Sequence, residues 1–138
     1  MADTMPQRFK ADLMRKVHNL TSDTIKVALL NATHAQDPDF DFMNDVVANE
    51  LSGTGYSRQT LGSKTVTEDN TNNRAVFDAA DVTFTGINAG TAAYVCIFKD
   101  NGGADSANEI ICILDNVDYV TNGNNLTVVW SSSGIFYF

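Results

Sequence analysis

The chain has 138 residues, 17 of them acidic against nine basic, and a formal net charge of −8, values that describe one acidic, domain-sized protein. The acidic balance, without a basic stripe, argues against nucleic-acid binding through phosphate contacts, and the apolar runs stay well short of the ~20 residues of a membrane span. Fourteen of the acidic residues are Asp, which favours turns and caps, so the composition predicts a loop-rich β protein.

Residues 1–20 differ from the rest of the chain because apolar side chains recur there at helical spacing. The pattern predicts an amphipathic helix of about three turns, carried by Phe9, Leu13, Met14 and Val17. We therefore divide the chain into an N-terminal arm or helix, residues 1–20, and a single β-sandwich domain, residues 21–138. Two interpretations of the helix stay open: it caps one end of the β core, or it docks on a neighbouring subunit.

The next segments predict one strand and one long excursion. Alternating apolar residues over 24–29 predict a strand with one buried face. Residues 35–53 then form an excursion that opens with loop chemistry at Asp37-Pro38-Asp39. Within it, a helical stripe predicts a short helix at about 43–51, ended by Gly53 and built on Phe42, Val46, Val47 and Leu51.

From Gly55 onward the pattern is β. Short apolar and β-branched runs alternate with turn clusters, among them Asn101-Gly102 and Asn122-Gly123. Together with the first strand, they make about eight or nine strands of ~5–6 residues. Regular turn spacing without alternating helices predicts a mainly β fold, an antiparallel β-sandwich or barrel with one or two short helices.

Two predicted strands are apolar on both faces, which places them at the centre of the fold. They are TAAYVCIFK, residues 91–99, and IICIL, residues 110–114. With the alternation of the closing strands, they predict a core that contains Tyr94, Val95, Ile97, Ile111, Ile113, Val128 and Trp130.

Both cysteines, Cys96 and Cys112, lie in these apolar runs. If the runs form a hairpin centred near Ala104, the two residues fall opposite each other. The ~4.5–5.5 Å between the Cβ atoms of such a pair is slightly too wide for an unstrained disulfide. Free buried thiols are therefore favoured over a cross-strand bridge.

The sequence shows no arrangement typical of catalysis. His18 and His34 are the only histidines, and neither has Cys or clustered carboxylates at ligand spacing. No G-x-S-x-G motif is present. We predict that the protein is not an enzyme, that it needs no cofactor and that it has no obligatory metal.

The acidic loop resembles a calcium-binding loop in the spacing of three carboxylates. Asp37, Asp39 and Asp41 have the spacing of the first ligands of an EF-hand loop, but Phe42 stands where that loop needs Gly. This excludes an EF-hand, and a looser cation site at Asp37–Asp45 stays open.

Four stretches carry a recognisable combined pattern. They are an opening strand SDTIKVALL, a loop ending in E-x-SGTGY, a run K-x-V-x-x-DN followed by RAVFDAADVTF, and a closing W…GI. In residue numbers they are Ser22–Leu30, Glu50–Tyr56, Lys64–Phe84 and Trp130–Ile135. This combination resembles a recurrent family of small virion proteins of tailed bacteriophages, and the resemblance covers nearly the whole chain after residue 20.

The resemblance implies a virion structural protein, made in the cytoplasm of the bacterial host. Small size, β-rich structure and acidic charge favour a capsid decoration (cement) protein on the outer surface of the capsid. The second interpretation is a small tail, neck or baseplate protein, and the third is a non-viral β-sandwich binding module. The absence of repeats or a shaft argues against a fibre.

The expected partners are the major capsid protein and further copies of the chain. We expect a homo-oligomer, a trimer around local three-fold positions, with no nucleic-acid or membrane contact. The basic helix and the acidic loop supply the predicted contact residues: Arg8, Phe9, Lys10, Arg15, Lys16, Phe40 and Phe42. Alternatively, Phe40 and Phe42 close one end of the sandwich.

Overall fold

The computed structural model describes residues 3–138, except for the side chain of residue 117, so the first two residues of the predicted 1–20 segment lie outside it. One α-helix and nine strands are present in this range, which confirms the mainly β prediction. They are α1 (Gln7–Met14), β1 (Ile25–Leu30), β2 (Gln59–Thr60), β3 (Thr65–Asp69), β4 (Arg74–Asp78), β5 (Val82–Phe84), β6 (Thr91–Lys99), β7 (Ile110–Val120), β8 (Leu126–Val128) and β9 (Phe136–Tyr137). No helix among the described residues has the length and apolar character to cross a membrane.

The strands form three antiparallel sheets. The largest has the order β2–β1–β6–β7, the second has the order β3–β4–β9, and the third pairs β5 with β8. The doubly apolar strand β6 lies between β1 and β7, as its sequence predicts. The similarly apolar β7 lies at the edge of its sheet instead, where a bridge from Thr4 to Ile113 covers part of its free side.

The large sheet separates two buried clusters. Ile25, Val27 and Leu29 face the main cluster, which lies between this sheet and the two smaller ones. Ala28 and Leu30 face a second cluster on the opposite side, beneath the 35–49 excursion. Burial on both faces explains why β1, β6 and the first half of β7 are almost continuously apolar.

The predicted core residues are buried, with one partial exception. Six of the seven are at most 8% exposed: Tyr94, Val95, Ile97, Ile111, Ile113 and Val128. Trp130 is half-buried at the edge of the main cluster, and its indole N–H donates to the carbonyl of Ala80 at 2.9 Å. An indole needs such a partner when its ring packs on apolar side chains.

The predicted helix at 43–51 is wrong. Two single 3₁₀ turns occupy the segment, Met43–Asp45 and Val47–Asn49. Backbone hydrogen bonds within the segment span three residues, as in a 3₁₀ turn, and the N–H of Val46 donates to the carbonyl of Met43. At its two ends the backbone bonds to other segments: the N–H of Met43 donates to the carbonyl of Asn108 and the N–H of Leu51 to the carbonyl of Leu29. Val46 and Leu51 are nevertheless buried. The apolar pattern thus identified buried side chains correctly, although the segment is not an α-helix.

The predicted pairing of the two cysteines is also wrong, whereas the free thiols are confirmed. A β-bulge between Ile97 and Phe98 shifts the hairpin register by one residue, so that Cys96 pairs with Ile113 and Cys112 with Ile97. A shift of one residue moves a side chain to the other face of a strand. The two thiols therefore lie in different buried clusters and both are free.

Candidate functional site

Helix α1 is attached to the β core through Phe9. The Phe9 side chain is fully buried, 5.2 Å from the ring of His18 and 6.1 Å from the ring of Phe136, measured between ring centroids. Leu20, beyond the helix, belongs to the same cluster. Of the predicted contact residues, Phe9 thus lies in the core, and the helix lies against the end of the sheets.

Three further predicted contact residues make contacts within the subunit. The guanidinium of Arg8 lies over the ring of Phe42, 4.8 Å from its centroid, and its Nε is 3.5 Å from the carboxylate of Asp12. Arg15 donates to Asp12 at 3.0 Å. The helix and the acidic loop are therefore neighbours in one subunit, and they bring together Arg8 and Phe42, which the sequence placed in separate contact segments.

The remaining predicted contact residues differ in exposure. Phe40 is half-buried against the second cluster, with its ring 6.1 Å from that of His34. Lys10 and Lys16 are exposed, and no ion pair of either ammonium group occurs within residues 3–138. Of the predicted set, these two lysines are exposed without an ion pair among the described residues, whereas Arg15, also exposed, is paired with Asp12.

The structure contains a buried polar cluster beneath α1 that the sequence did not predict. Asp12, His18 and Glu109 each place one ligand-type atom within 4.8 Å of the others, and all three residues are buried. His18 Nε2 lies 3.0 Å from a Glu109 carboxylate oxygen, although 91 residues separate the two along the chain. Only the fold brings them together, so spacing in the sequence carried no signal.

The charges of this cluster are compensated by side chains. Arg8 and Arg15 lie beside Asp12, and Arg8 is also 3.8 Å from Glu109. The hydrogen bond from Arg15, followed by the charge of Arg8, holds the pKa of Asp12 below its usual value. With these two guanidinium groups the cluster forms an ion-pair network that joins α1 to Glu109, just before β7, and the buried Nδ1 of His18 has no hydrogen-bond partner within it.

The acidic loop uses its carboxylates to shape its own backbone. Asp45 accepts from the N–H groups of Asp41 and Phe42, both at 3.0 Å, and Asp37 accepts from the N–H of Asp39 at 2.9 Å. Among the described residues, the one group of three metal-ligating side chains close enough to share an ion is the cluster beneath α1. These carboxylates thus serve as turn acceptors.

A second polar network centres on Arg58. Its guanidinium pairs with Glu50 at 2.7 and 2.8 Å and with Asp105 at 2.7 and 3.0 Å, and lies over the ring of Phe98. Tyr56 donates to Glu50 at 2.7 Å and accepts from the N–H of Leu29 at 3.1 Å. The Glu and Tyr of E-x-SGTGY thus join their loop to β1 and, through Arg58, to the turn at Asp105.

The glycines of the same motif permit a close approach of two loops. Gly55 has a φ of 73°, and a Cβ there would lie 2.3 Å from the carbonyl oxygen of Gly86. Only Gly fits such a position, for both backbone and space. The bridge between Thr54 and Asn88 follows from this approach.

The closing W…GI stretch docks on the RAVFDAADVTF run. The N–H of Trp130 donates to Asp81 at 3.0 Å, and the N–H of Ile135 donates to the carbonyl of Phe77 at 2.8 Å. Gly134 has a φ of 96° and lies where a Cβ would be 2.3 Å from Val76. The residues that carry the resemblance therefore hold the four stretches together.

An open apolar groove of about 600 Å³ lies between the end of α1 and the inner face of the β3–β4–β9 sheet. Its floor consists of side chains that are cross-strand partners on one face: Val66, Ala75, Phe77, Phe136 and Phe138. Leu13, Lys16 and Leu20 form its wall. Val66 and Phe138 are 52% and 57% exposed, so this face of the sheet is only partly covered.

Comparisons of the chain with protein-family models, with curated proteins and with solved structures found no match.

Proposed function

We propose that this protein is a bacteriophage virion structural protein, a capsid decoration protein that binds the outer surface of the major capsid protein shell and stabilises it. The observation that carries the proposal is the combined resemblance of the four stretches defined above. Their contacts support it: the motif residues Glu50, Tyr56, Gly55, Trp130 and Gly134 each join one stretch to another segment of the fold. A pattern of such residues is what a family with a shared fold retains.

The charge of the chain fits the outer surface of a particle better than contact with packaged DNA. With 17 acidic and nine basic residues, the subunit repels a phosphate backbone and stays soluble before assembly. A decoration protein must meet both conditions because it is made in many copies and is added to a filled shell.

The proposed partners are the major capsid protein and further copies of the chain, in a trimer at local three-fold positions. Lys10 and Lys16 are the first candidates for contacts with acidic groups of a partner, since both ammonium groups are exposed. Such exposed charges steer an encounter more than they hold a complex.

The proposal is tested by counting copies of the protein in purified virions. Quantitative mass spectrometry of peptides from this chain, relative to peptides of the major capsid protein, gives the stoichiometry. A decoration protein is expected in numbers comparable to the capsomers. Washing virions at high ionic strength, which screens lysine–carboxylate contacts, is expected to strip the protein from shells that then rebind the purified protein.

Two results would contradict the proposal. A copy number of one ring per particle would move the protein to the tail, neck or baseplate. Absence from purified virions, with the protein recovered in the soluble lysate, would reject a virion role and leave the non-viral binding module.

A further inference from the structure

The buried cluster beneath α1 has the donor set of a metal site. Asp12, His18 and Glu109 offer two carboxylates and one imidazole, and their ligand-type atoms lie within 4.8 Å of one another. Ligand atoms at about 2.0–2.2 Å from one Zn²⁺ lie within roughly 4.4 Å of each other, so small rotations of the two carboxylates suffice. One nitrogen and two oxygen donors suit Zn²⁺, whereas Ca²⁺ and Mg²⁺ are bound by oxygen ligands.

The three side chains are held by separate parts of the fold. Asp12 lies on α1, His18 follows that helix, and Glu109 comes directly before β7. The carbonyl of Glu109 accepts from the N–H of Lys99 at 2.9 Å, which joins its backbone to the end of β6. The His18 side chain is fully buried, and its ring centroid is 5.2 Å from that of Phe9. The donors are thus positioned by the fold itself, as a metal site requires.

The hydrogen bonds of His18 supply a second, independent observation. Its Nε2 is 3.0 Å from a Glu109 oxygen, and because an ionised carboxylate only accepts, Nε2 carries a proton in this contact. In a neutral ring Nδ1 is then an acceptor. This atom is buried without a hydrogen-bond partner, and it lies 4.0 Å from a carboxylate oxygen of Asp23. A buried acceptor beside another acceptor is an unfavourable arrangement.

An ion bound at Nε2 removes this conflict. The ring proton then lies on Nδ1, on the side of the Asp23 carboxylate. Metal-binding histidines almost always donate their other ring N–H to a carboxylate, a carbonyl or water, and this outer contact fixes the tautomer. The ammonium of Lys99 holds Asp23 in place at 3.0 Å. His18 and Asp23 therefore have the arrangement of a metal ligand and its outer partner.

We propose that Asp12, His18 and Glu109 bind one Zn²⁺ ion, which joins α1 and the segment after it to the start of β7. The guanidinium groups of Arg8 and Arg15 compete with the ion for the carboxylates. Both side chains are exposed, at 46% and 69%, and the Nε of Arg8 is 3.5 and 3.8 Å from the two carboxylates, longer than a good hydrogen bond. Both can therefore turn to solvent when the ion binds.

The test is Zn²⁺ binding to the purified full chain after treatment with a chelator, measured by isothermal titration calorimetry and by thermal unfolding. The chain has its own apolar core, so we expect it to fold without Zn²⁺. We expect one ion per chain and an unfolding temperature that rises with Zn²⁺ concentration, because a ligand of the folded state stabilises it. Mg²⁺ is expected to have neither effect. The result does not depend on a virion role.

The two histidines give a readout that needs no substitution. His18 and His34 are the only histidines, so NMR can follow the ring signals of both in the unmodified chain. Zn²⁺ is expected to shift the ring signals of His18. Those of His34, which packs near Phe40 in another part of the fold, are expected to stay unchanged. This measurement decides the proposal even where a substitution in the buried cluster prevents folding.

Three variants separate a metal site from a purely structural ion-pair network. Glu109→Gln and Asp12→Asn keep the shape of the side chain and remove a charged ligand, so each is expected to lower the Zn²⁺ affinity by at least about tenfold. Arg15→Gln is expected to raise the affinity several-fold, because one competitor for Asp12 is gone. The control Asp39→Asn, in the acidic loop, is expected to bind Zn²⁺ like the wild type.

Absence of saturable Zn²⁺ binding, or binding that leaves the ring signals of His18 unchanged, would overturn the proposal and leave the cluster as an ion-pair network. Equal binding of Mg²⁺ would also overturn it, as would an affinity that Glu109→Gln and Asp12→Asn both leave unchanged. A loss of affinity in Asp39→Asn would place the ion in the acidic loop instead.

Discussion

Arg58 is the residue on which three segments of the chain converge, through its pairs with Glu50 and Asp105 and its position over Phe98. The two carboxylates hold the pKa of Arg58 above its usual value, so the side chain is charged at every accessible pH. A lysine in its place has one ammonium group and cannot pair with both carboxylates in the same planar geometry.

We therefore expect Arg58→Lys to lower the free energy of unfolding by about 2 kcal/mol, measured by urea denaturation. Arg74→Lys is the matched control, because Arg74 makes a single ion pair, with Asp69 at 2.9 Å, and its loss is expected to stay below ~1 kcal/mol. Equal losses in the two variants would contradict the central role of Arg58.

The cysteines give a second prediction for single residues. Both thiols are at most 2% exposed, and burial raises the pKa of each above its usual value. Because thiolates are the reactive form, neither thiol is expected to react with a thiol reagent in the native protein, and both are expected to react in denaturant. Reaction of either thiol faster than global unfolding would show that its strand opens locally.

Helix α1 is an integral part of the folded domain, because Phe9 is buried in the core and Asp12 belongs to the buried polar cluster. Phe9→Ala is expected to lower the free energy of unfolding by about 3–5 kcal/mol. Met14→Ala on the same helix is the control: Met14 is 82% exposed and its loss is expected to stay within ~0.5 kcal/mol. A small effect of Phe9→Ala would instead favour an arm that leaves the domain.

The elements also show how far the sequence could lead. Alternation of apolar residues identified β1, and a run that is apolar on both faces identified the central strand β6. The single buried face predicted for β1 is wrong, because Ala28 and Leu30 are buried on its other face. The same reasoning failed at 43–51, where Val46 and Leu51 are buried but the backbone forms two single 3₁₀ turns. Periodicity indicates which side chains are buried, and it does not show that the backbone at both ends of the segment bonds to Asn108 and Leu29.

Neither the register of the β6–β7 hairpin nor the polar cluster beneath α1 could be predicted from the sequence, because both depend on contacts between distant segments. Turn spacing placed Cys96 opposite Cys112, and one bulge at Ile97 moved them to different faces. His18, after α1, and Glu109, just before β7, are 91 residues apart and meet only in the folded chain, so their spacing in the sequence does not predict the contact. The groove depends in the same way on how α1 lies over the β3–β4–β9 sheet.

For the whole molecule, the ion pairs predict how stability depends on pH. Lys26 lowers the pKa of Asp100 and Arg58 lowers the pKa of Asp105, each through a hydrogen bond, below the ~3.9 of an unfolded Asp. A carboxylate with a lowered folded pKa adds stability above its unfolded pKa, and this contribution is lost as pH falls through the folded value.

We therefore expect the free energy of unfolding to be level near neutral pH and to fall below about pH 4, measured by urea denaturation at each pH. Asp105→Asn is expected to be less stable at neutral pH and to lose less on acidification, since one of these carboxylates is gone. An unchanged acid slope in this variant would assign the pH dependence to other groups.

The whole molecule is an acidic β domain with a formal net charge of −8, and we propose that it binds the outside of a phage capsid. The polar networks at Arg58 and beneath α1 join segments that are distant in the sequence.

The measurement that tests the central claim most directly is a cryo-EM map of the virion. We predict density for this β domain on the outer surface of the shell, repeated at local symmetry positions. A shell without such density, or density for the domain confined to the tail or neck, would contradict it.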